Sequence, residues 1–156
     1  MVYRFQSEIP PVVKLRLKLE INTREHFSVL PIQAHSFGVE SRWFTGECRI
    51  PSYHLNELLG TKVRALYQRN KGRDLFDLWY GITVGRADPV VIVSAFRKYL
   101  AEDGLTISQR EFRQNLAAKI ENPDFLADTE DLLRSGLDYD HHKAYHLIEE
   151  CLVNLL

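Results

Sequence analysis

The sequence predicts an α+β chain: a small, mostly antiparallel sheet in the N-terminal third, followed by a helical C-terminal bundle. Three observations carry this. Val13, Leu15, Leu17, Leu19 and Ile21 alternate with Lys14, Arg16, Lys18 and Glu20, the period of a half-buried strand. After Pro51 the apolar period becomes that of helices. Nothing repeats at a fixed spacing and no segment is low in complexity, so strands come first and helices second. The expected organisation is a sheet part at 1–51 and a helical part at 52–156, forming one compact unit.

Pro10-Pro11 stops the first clear strand from extending backwards, and Asn22-Thr23 suits a turn after it. Phe27–Gln33 and Phe37–Ile50 are rich in β-branched and aromatic residues, with Thr45-Gly46-Glu47 as a hairpin or bulge. Ser52 is a reasonable N-cap for a helix over Tyr53–Asn70, with Gly72 ending it. A second helix starts near Asp74. Asp88-Pro89 starts a third, running through Val90–Ala101. Ile107–Glu121 and Asp138–Leu155 are amphipathic, and Phe125–Leu133 makes a shorter helical piece. Trp43 and Trp79 are expected in the core or at a sheet-helix contact.

With 156 residues, 45% of them hydrophobic and a net charge of −1, the composition excludes a disordered tail, a collagen-like fibre and a disulfide miniprotein. Cys48 and Cys151 stand far apart, which points away from a disulfide framework or zinc knuckle and toward a reducing cytoplasm. No apolar run approaches the ~20 residues of a membrane helix, and no signal-peptide layout opens the chain. The near-neutral total hides an asymmetry. Residues 1–74 hold 12 basic and 7 acidic side chains, and 75–156 hold 8 and 14. If the acidic half repels nucleic acid, the basic N-terminal half is left as the electrostatic side.

The strongest chemical signal lies on the helix after Ser52. At ~100° per residue, Leu55, Leu58, Leu59, Val63 and Leu66 define an apolar stripe, and Lys62 and Arg69 fall inside it. Arg64, Gln68 and Lys71 point into water. Cations on an apolar face snorkel at its edge, meet a buried acid, or line a cleft that admits an anion such as phosphate. Arg73-Asp74-Leu75-Phe76-Asp77 follows at once. Asp74 and Asp77 read either as an N-cap with its capping-box partner or as two carboxylates on one turn beside inward-facing cations. Glu20, among Lys14, Arg16 and Lys18, reads as a cross-strand ion pair or as a magnesium ligand.

The run Leu17-Lys18-Leu19-Glu20-Ile21-Asn22, then Lys62-x-x-Ala65-x-x-x-Arg69-x-x-x-Arg73-Asp74-x-x-Asp77, resembles the AbiEii/AbiGii-type nucleotidyltransferase toxins, closely over residues 1–85. The resemblance implies a partial nucleotidyltransferase fold of the DNA polymerase β kind. It implies transfer of a nucleotide from an NTP, with Mg2+, onto an acceptor that in some members is the tRNA 3′ end, and a cognate antitoxin. By position, Glu20 would be a catalytic, metal-side carboxylate or base, and Lys62 would contact the triphosphate. Arg69, Arg73, Asp74 and Asp77 would build and order the pocket.

That family's first motif is a Gly-Gly-Ser/Thr turn with an Asp-x-Asp strand, and none precedes Glu20; the sole Asp-x-Asp is Asp138-Tyr139-Asp140. Two-metal chemistry needs more than one carboxylate, so the chain is expected to be incomplete alone. It would be the C-terminal part of a truncated or split protein, a chain completed by another polypeptide, or a degenerate relative. The alternative is a non-catalytic truncated domain acting through contacts with an antitoxin or with a second copy as a homo-oligomer. His142, His146 and Glu150 share a helical face, read as a polar surface rather than a zinc site. The acidic run 121–140, with Arg134 its only base, reads as a solvated face. Walker A, Gly-x-Ser-x-Gly and dinucleotide-binding motifs are absent from the sequence.

Overall fold

A computed structural model of the chain describes residues 1–21, 26–130, 133 and 136–156. The turn read at Asn22-Thr23 and the base Arg134 lie outside these. The α+β class and the order of strands before helices are as expected. The strands, however, pair as two separate antiparallel ribbons: β1 (Val2–Gln6) with β2 (Lys14–Lys18), and β3 (Gln33–Glu40) with β4 (Thr45–Ser52).

Both faces of β1–β2 are exposed, so the strand expected to be half-buried is not, and Leu15, Leu17 and Leu19 stand 42–50% exposed. Alternation gave the correct backbone but not the burial, because no second layer covers the apolar side. Phe27–Ile32 is loop rather than strand. The β3–β4 turn is at Ser41–Phe44, where the Ser41 hydroxyl accepts from the Trp43 and Phe44 amides, so Thr45-Gly46-Glu47 lies inside β4. Trp43 is 72% exposed at that tip, with the Arg42 guanidinium 4.1 Å from its ring, and is not a core residue.

The core belongs to the helices: α1 (Leu55–Gln68), α2 (Gly72–Thr83), α3 (Pro89–Glu102), α4 (Gln109–Ile120), α5 (Pro123–Ala127) and α6 (His141–Cys151), closed by a 3-10 turn at Val153–Leu155. Leu66, Leu75, Leu78, Ile92, Phe96 and Phe125 are fully buried. Trp79 is half-buried in an aromatic group with Phe76 and Tyr139. The expected start of α3 holds, and α4 begins two residues after the expected Ile107. Asp88 caps α3 with Pro89 in its first turn, and Ser108 and Glu111 form a capping box on α4. α1 is capped by His54, whose Nδ1 accepts from the Asn56 amide, not by Ser52, which ends β4.

Gly72 begins α2 instead of ending α1. The reason is tertiary: a Cβ there would lie 2.1 Å from the Phe125 carbonyl oxygen, so only glycine lets α5 seat against the start of α2. Lys71 gives this helix no side-chain cap, and the Asp128 carboxylate, at the end of α5, accepts from the Arg73 amide instead. Gly72→Ala is therefore expected to force α5 outward. Overpacking of this kind costs about 1–3 kcal/mol, and at roughly 2–4 °C per kcal/mol for a chain of this size the melting temperature should drop by about 2–12 °C in a circular-dichroism melt.

Candidate functional site

The corner between α1 and α2 is built around Asp74. In the first turn of α2 its carboxylate is fully buried, where the helix dipole favours an anion. Arg69 donates to it twice, Nε to Oδ2 at 2.6 Å and Nη2 to Oδ1 at 2.7 Å, and Lys62 donates Nζ to Oδ1 at 3.2 Å. Lys62 also pairs with Asp77 at 2.6 Å. The buried acidic partner was thus one of the open alternatives for these cations, and Asp74 is not an N-cap. Burial pulls the Lys62 ammonium down, but Asp77 and Asp74 together more than offset it and hold it charged. The bond to Asp74 likewise raises Arg69.

Arg69 reaches Asp74 because the backbone leaves the helix there. It is the C-cap of α1, in an extended conformation, and not a residue of the apolar stripe. Lys119 of α4 fixes that end. Its ammonium donates to the carbonyls of Leu66, of Tyr67 at 2.8 Å and of Arg69 at 2.9 Å, and burial pushes it down to about 8. Nothing local in the sequence marks this lysine, since its acceptors lie some fifty residues away.

The buried stripe of α1 runs through Asn56, Leu59, Gly60, Val63 and Leu66, rotated from the expected one, and Leu55 and Leu58 are 38% and 40% exposed. Lys62 consequently sits at the stripe's edge, one side toward Asp74 and the other lining a cleft of about 310 Å³. Thr61, Arg64, Arg69, Tyr53 and Tyr99 line the same cleft. Arg64 does not point freely into water. Its side chain is 15% exposed, lies 5.2 Å from the Tyr99 ring and pairs with Asp103 at 3.0 Å.

Glu57 forms the inner wall and was missed as a structural residue. Fully buried, it accepts from the Val29 and Leu30 amides at 2.7 and 2.8 Å and from the Tyr99 hydroxyl at 2.8 Å, while Phe27 stacks on Tyr99 at 4.8 Å. The segment leading into β3 is thereby clamped onto α1 and α3. A glutamate in a first helical turn carries no signal of such a role beyond its dipole preference.

The structure brings Lys62, Arg69, Asp74 and Asp77 together. Arg73 is turned away to Asp128, bonded through Nε at 2.9 Å and Nη2 at 2.8 Å, with Lys71 on the same carboxylate at 3.1 Å. Glu20 follows β2, exposed and paired with Lys18, and is not among the residues lining the cleft. His142, His146 and Glu150 lie on the exposed side of α6.

The lysine, the arginine and the two aspartates fall on one helix corner, beside a cleft, in a chain with ribbons first and helices after. Residues 1–147 match the family described as nucleotidyl transferase AbiEii toxin, Type IV TA system. The chain belongs to this AbiEii family. No curated protein and no solved structure matches it. An AbiEii chain is a nucleotidyltransferase toxin of a type IV toxin-antitoxin system, which implies a nucleotide substrate and a cognate antitoxin. Nucleotidyltransferases generally use a divalent metal. The described residues do not fit a resident site for one: no three His, Cys, Asp or Glu side chains converge, and Asp74, Asp77 and Glu20 are each occupied by cations. No described helix is long and apolar enough to cross a membrane.

Two outcomes follow from these carboxylates. Asp74→Asn leaves a buried amide facing two cations; removing one partner of such a network costs about 3–5 kcal/mol, and the half-exposure of Arg69 should hold the loss to the lower end of that range in a urea titration. Asp128, 7% exposed, is held well below the usual carboxylate range by Arg73, against its burial. A depressed carboxylate contributes stability above its unfolded pKa of 3.8 and loses it as pH falls further. Asp128→Asn should therefore melt several degrees below the parent at pH 7, and the gap should narrow without vanishing as both are melted from about pH 4 down to about pH 2.5, since the folded-state value lies lower still.

Proposed function

We propose that the cleft beside Asp74 receives the triphosphate of an NTP, and that the chain serves nucleotide transfer to an RNA acceptor, in the cytoplasm where both are found. The observation that carries this is the arrangement of Lys62: an ammonium kept charged by Asp74 and Asp77 while it lines an open cleft together with Arg64 and Arg69. Cations held in place before the ligand arrives need no reorganisation, which is how enzymes stabilise charge that develops during reaction.

In the transfer, an acceptor hydroxyl oxygen bonds to the α-phosphorus, the bond from that phosphorus to the bridging oxygen breaks, and pyrophosphate leaves with the electron pair. The hydroxyl proton passes to a base; the family resemblance suggests Glu20, which would have to leave Lys18 and approach the cleft to take it. Lys62 and Arg69 would hold the β- and γ-phosphates and the charge that gathers on them. Asp74 and Asp77 position these cations, and Arg73 with Asp128 secures the start of α2 on which they depend. Magnesium and the carboxylates that hold it would lie outside this cleft.

A second reading is non-catalytic: docking of the cognate antitoxin. It is favoured by the uncovered apolar sides of both ribbons, where Tyr3, Phe5 and Leu17, and Phe37, Val39 and Ile50, are 37–54% exposed.

Titration calorimetry with each NTP in magnesium buffer separates the two. The parent should bind, and Lys62→Ala should weaken binding about tenfold or more, the scale of one charge-assisted phosphate contact; because Lys62 also pairs with the buried Asp74, the variant should melt lower, and binding is compared at a temperature where both proteins are folded. Magnesium-dependent labelling of RNA, lost in Glu20→Ala, would add turnover. An absence of NTP binding by the parent chain leaves the docking reading alone.

A further inference from the structure

The β1–β2 ribbon has two unlike faces. The register sets Tyr3 opposite Leu17 and Phe5 opposite Leu15 on one side. On the other it sets Val2 opposite Lys18, Arg4 opposite Arg16 and Gln6 opposite Lys14. That second face thus carries four cations and no acid within the strands. Arg4 and Arg16 are direct cross-strand partners, an arrangement that like-charge repulsion disfavours in a free ribbon. Among the described residues Arg4, Lys14 and Arg16 have no ion-pair partner, and Lys18 has only Glu20 beyond the end of the strand. A hollow of about 420 Å³ opens on the ribbon, lined by Arg4, Gln6, Lys14 and Arg16 with Phe5 and Leu15.

We infer that this face is a docking surface for the phosphate backbone of a folded RNA. Cross-strand rows on one face repeat every two residues, about 7 Å apart, so the cations stand in file along the ribbon and match a line of phosphodiesters. A discrete small anion would need converging donors instead. By register the aromatic side chains belong to the opposite face and Phe5 alone of them borders the hollow, so contact here is dominated by charge and shape rather than by base stacking. A-form RNA suits that mode, because its shallow minor groove is recognised through phosphates and 2′-hydroxyls. The choice of RNA over DNA rests on the acceptor proposed above; the cationic face itself does not.

The test is fluorescence anisotropy of the full chain with a fluorescein-labelled RNA hairpin across a salt series. The parent should bind with log affinity falling steeply against log salt. Arg4→Gln with Arg16→Gln should weaken binding by tenfold or more and flatten the slope by about 1.5–2, the loss expected for two phosphate contacts. Both positions are exposed, and Lys14→Gln with Lys18→Gln gives an independent pair should the first lower the melting temperature. Lys62→Ala should leave RNA affinity unchanged while NTP binding drops, so failure of the cleft and failure of the ribbon read separately. Parent-like RNA binding and salt slope in both folded double variants would overturn the inference. Equal affinity for a DNA duplex would overturn the assignment to RNA, and equal competition by polyglutamate would reassign the face to an acidic protein.

Discussion

A carboxylate removed from water must be matched by donors, and much of this molecule is arranged around that requirement at Asp74. Two of its partners come from different parts of α1: Lys62 from the helix and Arg69 from its extended C-cap. Both can reach it only if α1 ends where it does and α2 begins at once. Lys119 secures the first condition by taking up the terminal carbonyls of α1, and Gly72 with Asp128 secures the second. The corner is therefore assembled from α1, α2, α4 and α5 together, and the cations it presents to the cleft are held by contacts outside the cleft.

Glu57 plays a comparable part between the strands and the helices. Its two oxygens satisfy two backbone amides of the chain leading to β3 and one tyrosine hydroxyl, which replaces solvent for groups that the loop would otherwise bury unpaired. Close approach of α3 to α1 depends on Gly60, where a Cβ would stand 2.8 Å from that of Ala95. The wall of the cleft formed by Tyr99 follows from that approach. Beyond this clamp the ribbons extend with both faces uncovered, apolar on one side and cationic on the other in β1–β2. An amphipathic ribbon without a second layer has surface to give to partners, and the two faces favour partners of different chemistry.

Much of the site was legible before the structure. The spacing of Lys62, Arg69, Arg73, Asp74 and Asp77 placed them at a helix corner, and a buried acid was one of the readings open for Lys62 and Arg69, although Arg69 reaches it from the extended C-cap and not from the stripe. The details that failed were those settled between elements. Gly72 reads as a stop signal, but its role comes from the Phe125 carbonyl. Arg73 belongs to the same motif as Asp74 yet pairs with Asp128, on a segment 55 residues further along. Trp43 reads as core by composition and stands exposed on a hairpin tip.

Local order in the chain by itself determined the α+β class, the order of strands before helices, the start of α3, and membership in the AbiEii family. These depend on periodicity, capping residues and motif spacing, all of which act over a few residues. Tertiary structure alone decided that the strands form two ribbons instead of one sheet, that Asp74 is fully buried, and that Glu57 and Lys119 hold backbone groups of distant segments. Those outcomes turn on which surfaces meet and which polar groups lose water when they do, and such pairings join residues whose separation along the chain carries no local signal.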